Sequence, residues 1–275
     1  PGHPAAAGHA RRNGDRAAPA ASGQQSATGE PAAASIIAMP HAFISGSTRG
    51  IGRAIAAALL GSGHHVTITG RDESMVRTVV GDLARECDAE GRVRGQALDI
   101  RDRAAVDAAV AAAAAAFGGL HIIVNNAAVG RYGDVEAMGD EDWHMVMETN
   151  VSGPFFVMRA AIPFLRAAGG GWIINIASLA GPHPFAGAGA YCASKAALIA
   201  LSESAMQELR GADIRVSVVL PGSTATSFSG RVADVDESWR LSPDDVATVV
   251  ADLIRHPTRS LPSRVEIRPA RPKKG

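Results

Sequence analysis

Short apolar segments alternate with longer amphipathic segments from residue 41 to residue 267. Seven apolar segments have the length and bounding turn residues of buried strands, and six segments have the apolar spacing of helices. Because stretches of about ten or more residues separate successive strands, parallel strands joined by right-handed crossovers are expected. The pattern predicts an α/β fold, a doubly wound seven-stranded parallel sheet with helices on both faces in a single domain. The predicted strands are residues 41–45, 65–69, 93–98, 121–124, 172–177, 214–220 and 265–267, and the predicted helices are residues 51–60, 72–90, 103–117, 140–167, 190–210 and 243–256.

The first 38 residues differ from the rest of the chain in composition. Residues 1–38 are rich in Ala, Gly, Pro, Ser and Gln and have no hydrophobic period. Such a composition predicts a disordered tail. Arg11 and Arg12 are not followed by an apolar segment, so a signal peptide is not expected. Residues 39–275 are then expected to form the folded domain.

Charge and cysteine content narrow the function classes. The chain has 27 basic and 27 acidic residues, so neither a nucleic acid nor a membrane surface is expected as a partner. Cys87 and Cys192 lie in different predicted helices, which argues against a disulfide framework and favours a cytoplasmic location. The histidines and cysteines lack the spacing of metal ligands, so no metal site is predicted. A small-molecule substrate remains the expected partner.

A glycine-rich turn joins the first predicted strand to the first helix, where residues 45–52 read SGSTRGIG. Gly46 permits a tight turn, Gly50 allows the backbone to approach an anion, and Gly52 allows the helix to approach the sheet. The helix that follows presents free N–H groups and the positive end of its dipole to an anion. A tight turn without a ligand would also use these glycines, so the turn alone does not establish a phosphate site.

Further segments, in the same order along residues 41–268, resemble the short-chain dehydrogenase/reductase family. The spacing Gly-x-x-x-Gly-x-Gly is similar to the cofactor turn of that family, with Ser45 where the family usually has Thr. Ala128 replaces the usual glycine in the segment after the fourth strand, which reads Asn-Asn-Ala-Ala. The remaining segments are Leu98-Asp99-Ile100, the Tyr-x-x-x-Lys of Tyr191 and Lys195, and Pro221-Gly222.

The resemblance implies a Rossmann-type domain with a nicotinamide cofactor along the carboxyl ends of the strands. Asp99 would contact the adenine, Pro221 and Gly222 would lie beneath the nicotinamide, and Thr224 would reach its carboxamide. The predicted cofactor-binding residues are Gly46, Thr48, Arg49, Gly50, Ile51, Gly52, Arg71, Asp99, Ile100, Asn126, Ala127, Ala128, Tyr191, Lys195, Pro221, Gly222 and Thr224.

The end of the second strand selects between the two nicotinamide cofactors. An acidic residue there would accept hydrogen bonds from a ribose 2′-hydroxyl and repel a 2′-phosphate. Gly70 occupies this position, and Arg71 and Arg49 offer guanidinium groups suited to a phosphate. Alternatively, both arginines are solvated loop charges and Asp72 takes the acidic role. NADP(H) is therefore the preferred cofactor and NAD(H) the alternative.

The reacting residues are expected on the helix of residues 190–210 and at the end of the strand before it. Tyr191 and Lys195 lie one turn apart on one face, and a nearby ammonium favours the phenolate and lowers the phenol pKa. The resemblance implies that Ser178 lies opposite Tyr191, and that Asn150 holds a water linking Lys195 to solvent. It further implies hydride transfer between the cofactor and a carbonyl compound or secondary alcohol. Tyr191 would then be the acid or base, and Ser178 a second hydrogen-bond donor.

Substrate and assembly are less defined by the sequence. Residues 223–241 correspond to the substrate lid of the family, and they contain Phe228, Val232 and Trp239. Leu179, His183 and Phe185 are expected on the opposite wall, or as simple loop packing. These residues identify no particular substrate. The resemblance also implies a homodimer or homotetramer formed through helices at residues 151–167 and 190–210.

Three other functions fit parts of the pattern. An NAD(H)-dependent alcohol or polyol dehydrogenase would follow if Asp72 binds the ribose. A non-catalytic NADP(H)-binding sensor would have no need of Asn150, Ser178, Tyr191 and Lys195 together. A nucleotide-sugar epimerase or dehydratase would need a larger region after Pro221 than this chain has. The sequence therefore predicts an NADP(H)-dependent oxidoreductase.

Overall fold

A computed structural model describes residues 39–226, 228 and 238–271. The predicted tail and most of the predicted lid, including Val232, lie outside these residues. Seven strands form one parallel sheet in the order β3-β2-β1-β4-β5-β6-β7, and this confirms the doubly wound fold. The strands are β1 His41–Ile44, β2 His65–Gly70, β3 Val93–Ala97, β4 Ile122–Asn125, β5 Gly171–Ile176, β6 Ile214–Pro221 and β7 Arg264–Ile267. The helices are α1 Gly50–Gly61, α2 Glu73–Glu86, α3 Arg103–Ala116, α4 Asp140–Met147, α5 Gly153–Ala167, α6 Gly189–Leu209 and α7 Pro243–Arg255.

The sheet separates two hydrophobic cores. Successive side chains of a strand point to opposite faces, so Ile44 packs in the core beneath α1, α2 and α7, while Phe43 packs in the core beneath α3 and α5. Ile123 and Val124 of β4 divide between the same two cores. Both faces of the central strands are therefore buried, which explains why these strands are apolar throughout rather than alternating.

The helix predicted over residues 140–167 is interrupted. α4 ends at Met147, a π-helical turn occupies Glu148–Ser152, and α5 begins at Gly153. A Cβ atom at Gly153 would lie 2.5 Å from the Ile100 side chain, so the chain here passes unusually close to the loop after β3. Tertiary contact at this turn, rather than local helix propensity, accounts for the departure from the prediction.

The helix predicted over residues 72–90 is shorter in the structure. Asp72 lies outside α2 as its N-cap, and Asp88 has a left-handed backbone with φ of 47°. A residue with this backbone conformation typically follows the end of a helix. Cys87 and Cys192 are both free thiols. Within the described residues, no helix is long and apolar enough to cross a membrane.

Candidate active site

A cavity of about 960 Å³ lies at the carboxyl ends of the parallel strands, where doubly wound sheets bind their ligands. Two of the predicted site residues, Gly52 and Asn150, do not line it and lie behind its wall. The others are brought together around it: Gly46, Thr48, Arg49, Gly50, Ile51, Arg71, Asp99, Ile100, Asn126, Ala127, Ala128, Ser178, Tyr191, Lys195, Pro221, Gly222 and Thr224.

The glycine turn after β1 leaves no room for side chains. Gly46 and Gly50 have left-handed backbones, with φ of 62° and 55°. A Cβ atom on Gly46 would lie 2.7 Å from Ala127 Cα, and one on Gly52 would lie 2.5 Å from Asn126 Nδ2. Within the described structure no side chain caps α1, which leaves the N–H groups of its first turn free for an anion.

Hydrogen bonds fix the glycine turn to the loop after β4. The Ser45 hydroxyl accepts from the backbone N–H groups of Asn126 and Ala127, at 3.0 and 3.1 Å. In the opposite direction, Asn126 Nδ2 donates to the carbonyl oxygens of Ser45 and Gly46, at 3.1 and 2.8 Å. The two loops that form one wall of the cavity therefore hold a single relative position.

The loop after β3 contributes Asp99, paired with Arg101, to the cavity wall. Arg101 Nε donates to Asp99 Oδ1 at 3.0 Å, and Arg101 Nη2 donates to Asp99 Oδ2 at 2.6 Å. These hydrogen bonds lower the pKa of the Asp99 carboxyl. Sequence reasoning missed Arg101, although its position directly after the Leu98-Asp99-Ile100 segment was the available signal.

Near the carboxyl end of β2, the Asp72 carboxylate is hydrogen-bonded within the protein, whereas Arg49 and Arg71 form no ion pair with a described residue. Asp72 Oδ1 accepts from Met75 N at 3.1 Å and from the Ser74 hydroxyl at 2.6 Å, so the carboxylate caps α2. Among the described residues, no carboxylate forms an ion pair with Arg49 or Arg71. The two guanidinium groups thus line the cavity with their hydrogen-bond donors available to a ligand.

Three polar side chains meet between β5 and α6. Ser178 follows β5, lines the cavity together with Tyr191 in the first turn of α6, and lies close enough to lower the pKa of the Tyr191 phenol. Lys195 is buried, and its Nζ donates to the Ile176 carbonyl at 3.0 Å. The same Nζ lies 5.8 Å from the centre of the Tyr191 ring. Strand β5 therefore sets the positions of both reactive groups on α6.

Burial moves the pKa values of both reactive groups. Burial raises the pKa of Tyr191 to about 12, although the hydrogen bond with Ser178 acts in the opposite direction. Burial also lowers the pKa of Lys195 to about 8. The net direction is the opposite of the expected lowering, because the cost of burying the phenolate outweighs any stabilisation of it by Lys195.

Asn150 occupies the π-helical turn and is fully buried. Its Oδ1 accepts from Val129 N at 2.8 Å, and its Nδ2 donates to Val129 O at 2.8 Å and to the Ser194 hydroxyl at 3.0 Å. Both side-chain amide hydrogens are donated within the protein. The Asn150 side chain links the loop after β4 to α6 through Ser194, whose hydroxyl donates to the Tyr191 carbonyl. The expected water on Asn150 stays a prediction.

Aromatic side chains surround Tyr191 on the open side of the cavity. The ring centres of Tyr132 and Phe228 lie 5.9 and 5.8 Å from that of Tyr191. Tyr132 was not foreseen from the sequence.

Thr224, the residue expected to reach the carboxamide, donates from Oγ1 to the Gly222 carbonyl at 3.1 Å. The predicted wall residues Leu179, His183 and Phe185 all line the cavity, whereas Trp239 does not.

Within the described residues, no group of three or more His, Cys, Asp or Glu side chains is arranged to hold a metal ion. The polar groups of the candidate site include backbone amides, hydroxyl groups, guanidinium groups, the carboxylates of Asp72 and Asp99 and one buried ammonium. Such a set is suited to binding phosphates and transferring a proton.

Comparison with known proteins identifies similar sequences and structures. Residues 40–236 match the family model described as short chain dehydrogenase. The chain is 36% identical to the 2,5-dichloro-2,5-cyclohexadiene-1,4-diol dehydrogenase of Sphingobium indicum, over 70% of this chain and 75% of the relative. It is 35% identical to the trans-4-hydroxycyclohexanecarboxylate dehydrogenase of Sinomonas cyclohexanicum, over 79% of this chain and 85% of the relative. A metagenomic short-chain oxidoreductase in complex with NADP superimposes with a TM-score of 0.73 at 37% identity, over 84% of this chain and 97% of that one.

Proposed function

This chain belongs to the short-chain dehydrogenase/reductase family, and within that family we propose that it transfers a hydride between NADP(H) and a carbonyl compound or its secondary alcohol. The proposal assigns the acid and base role to Tyr191. The observation that carries it is the meeting of Ser178, Tyr191 and Lys195 beside one cavity, with Lys195 Nζ 5.8 Å from the centre of the Tyr191 ring.

The glycine turn is the best support for a dinucleotide. Its pyrophosphate would lie against Gly46, Gly50 and the first turn of α1, where added Cβ atoms find little or no space and N–H groups are free. Asn126 holds this turn in place through its two hydrogen bonds. When bound, the cofactor supplies the hydride, and the protein supplies the geometry.

Preference for NADP(H) is supported by the charges after β2. Arg49 and Arg71 can donate to a 2′-phosphate, and Asp72, the group that would repel it, already uses one carboxylate oxygen to cap α2. The similar metagenomic oxidoreductase binds NADP. NAD(H) remains the alternative, and direct comparison of the two cofactors in the assay described below distinguishes them.

Each reacting side chain then has a separate task. With a pKa of about 12, the Tyr191 phenol is protonated at neutral pH and can donate its proton to a substrate oxygen during reduction. Ser178 donates a second hydrogen bond to that oxygen as negative charge develops on it. Lys195 stands beside the Tyr191 ring, where its charge favours the phenolate left after donation. Asn150 acts as a positioning residue through Ser194.

The test is NADPH and NADH consumption over a panel of aldehydes, ketones, diketones and quinones. Tyr191→Phe should lower kcat/KM by at least about 10²-fold, because it removes the donated proton while keeping the ring. Tyr132→Phe is the matched control: it removes the only other phenol of the chain, 5.9 Å away, and should keep measurable turnover.

The outcomes separate the competing functions. Turnover that survives in Tyr191→Phe would exclude Tyr191 as the acid. Saturable NADPH binding without consumption of any carbonyl, and without oxidation of alcohols by NADP⁺, would favour the sensor.

We also propose that the protein forms a homodimer or homotetramer through α5 and α6. Phe155 on α5 is 41% exposed, and the Arg159 guanidinium covers its ring at 5.1 Å. An exposed aromatic ring on a long helix is typical of a contact surface. Light scattering should give a mass of two or four chains, and a monomeric mass at micromolar concentration would contradict the proposal.

A further inference from the structure

We propose that the substrate of this site carries a carboxylate, and that Arg268 binds it. The inference rests on the proposed carbonyl reduction, and it concerns the end of the cavity farthest from β3. Arg268 directly follows β7, the edge strand at the opposite side of the sheet from β3. Its side chain lines the cavity beside the loop between Ser178 and Tyr191.

Apart from Lys195 and Arg240, the charged side chains that line the described part of the cavity lie at its two ends. At the end near β2 and β3, three arginines stand with two carboxylates: Arg49, Arg71 and Arg101 with Asp72 and Asp99. At the end near β7, Arg268 lines the cavity, and the carboxylate that pairs with it, Glu266, does not belong to the described lining.

Arg268 is hydrogen-bonded through one nitrogen and retains unused donors on the other two. Its Nη2 donates to His183 Nε2 at 3.1 Å and to Glu266 Oε2 at 2.9 Å. A guanidinium has no acceptor, so Arg268 is the donor in the hydrogen bond with His183 Nε2. Arg268 Nε and Nη1 have no hydrogen-bond partner among the described residues. The planar fork of a guanidinium matches a carboxylate in geometry.

Glu266 competes with a ligand for Arg268 but does not exclude it. The Arg268 and Glu266 side chains are 54% and 35% exposed, and ion pairs this accessible to water are weak. Glu266 also lies 3.4 Å from Arg264, which provides it with a second cation. Arg268 can therefore turn toward a bound carboxylate while Glu266 keeps a partner.

The wall between Tyr191 and Arg268 is suited to a hydrocarbon body. Phe185 and Tyr132 line it with more than half of their surface exposed, 55% and 53%, and Phe228 packs toward the Tyr191 ring. Aromatic faces exposed in a cavity bind apolar ligand surface. The substrate class that fits is a keto acid whose carbonyl and carboxylate are separated by an apolar chain or ring.

The experiment measures kcat/KM for a series of keto acids of increasing length, each paired with its methyl ester. The unmodified enzyme should prefer at least one acid to its ester by about 10-fold or more, because the ester cannot form the charged hydrogen bonds. Arg268→Gln should lower kcat/KM for that acid by about 10-fold or more and change the ester value by less than about 3-fold.

Two further variants test the assignment to Arg268 itself. Arg264→Gln is the matched control, since Arg264 contacts the same Glu266 but does not line the cavity; the preference for the acid should change little. Glu266→Gln removes the competing carboxylate and should raise kcat/KM for the acid by roughly 2-fold to 5-fold. If the Arg268–Glu266 pair had only a structural role, Arg268→Gln and Glu266→Gln would both lower kcat/KM for the acid and for the ester.

Three outcomes would overturn the inference. In one, neutral ketones are reduced but every acid is a poorer substrate than its ester. In another, Arg268→Gln lowers the acid and ester values equally. In the third, no carbonyl is reduced although NADPH binds; that result removes the proposed function as well, whereas the first two leave it standing.

Discussion

His41 lies at the amino-terminal edge of the sheet, meaning the side on which the parallel strands begin. It is fully buried, and both of its ring nitrogens are hydrogen-bonded, to Thr67 Oγ1 at 2.9 Å and to the Gly119 carbonyl at 3.0 Å. At the carboxyl-terminal edge, Lys195 is equally buried but borders the cavity. Burial lowers the pKa of His41 to about 4 and that of Lys195 to about 8. The two shifts from the ordinary values are of similar size.

The comparison shows that a large pKa shift alone does not mark a functional group. His41 is held neutral within a closed network, in which Phe117 packs edge-on against its ring at 4.8 Å. Lys195 shares its surroundings with Tyr191 and a ligand-sized cavity. Access to a ligand, and not the size of the shift, distinguishes the reactive edge from the structural one.

The largest expected effect comes from removing the buried ammonium. Lys195→Met should lower kcat/KM by roughly 10³-fold, because the charge beside Tyr191 is lost. The folded-state pKa of Lys195 lies below its unfolded value, so at neutral pH the buried charge opposes folding. The melting temperature should therefore stay constant or rise, despite the lost hydrogen bond to Ile176. Turnover within 10-fold of the unmodified enzyme would contradict this role.

The next effect is acid sensitivity at the opposite edge. The folded-state pKa of His41, about 4, lies below the ordinary value of 6.5, so the neutral ring stabilises the fold fully above pH 6.5. That contribution, about 3 kcal/mol, is lost as the pH falls from 6.5 toward 4. Urea unfolding between pH 7 and pH 4 should show this loss, and His41→Gln should flatten it.

His144→Gln provides the control for this titration. His144 is an exposed histidine of α4, so its replacement should leave the pH dependence of the unfolding free energy as it is in the unmodified protein. If both variants give the same slope, His41 is not the source of the acid sensitivity.

The smallest expected effect compares one glycine from each edge. Gly46 and Gly118 both have left-handed backbones, with φ of 62° and 69°. A Cβ atom on Gly46 would collide with Ala127, whereas one on Gly118 would have no atom within 4 Å. Gly118→Ala should cost about 1 kcal/mol of unfolding free energy from backbone strain alone.

Gly46→Ala should cost about 1 kcal/mol or more beyond that strain, because the neighbouring loop must shift. It should also weaken NADPH binding, measured by fluorescence titration, whereas Gly118→Ala should not. Equal losses of stability with unchanged NADPH affinity in both variants would show that the close contact with Ala127 has no consequence.

The sequence predicted those parts of the molecule that depend on local pattern. All seven strands follow from apolar segments bounded by turns, and the left-handed backbones of Gly46 and Gly50 follow from the glycine spacing. The reactive groups near Tyr191 were expected from a family resemblance, and the structure brings their side chains together. Their roles remain predictions.

Features that depend on distant contacts escaped the sequence. The resemblance implied a disrupted helix at Asn150, where the structure has the π-helical turn, but no local pattern encodes the contact between Gly153 and Ile100. The network around His41 joins residues far apart in the chain. The direction of the Tyr191 pKa shift depends on burial, which a spacing of four residues does not reveal. Arg268 follows the last strand, and its place beside the cavity depends on the order of the strands in the sheet, which no local pattern around Arg268 indicates.

The π-helical turn at Glu148–Ser152 gives this part of the chain a fixed residue count as well as a shape. A π-helical turn contains one residue more than the α-helical turn that it replaces. Removing one residue here would restore a regular α-helical turn and leave α4 and α5 close to their present relative orientation. The wide turn that directs the Asn150 side chain to Val129 would then be lost. A one-codon deletion would therefore keep the helices and remove the link that Asn150 makes between the loop after β4 and α6.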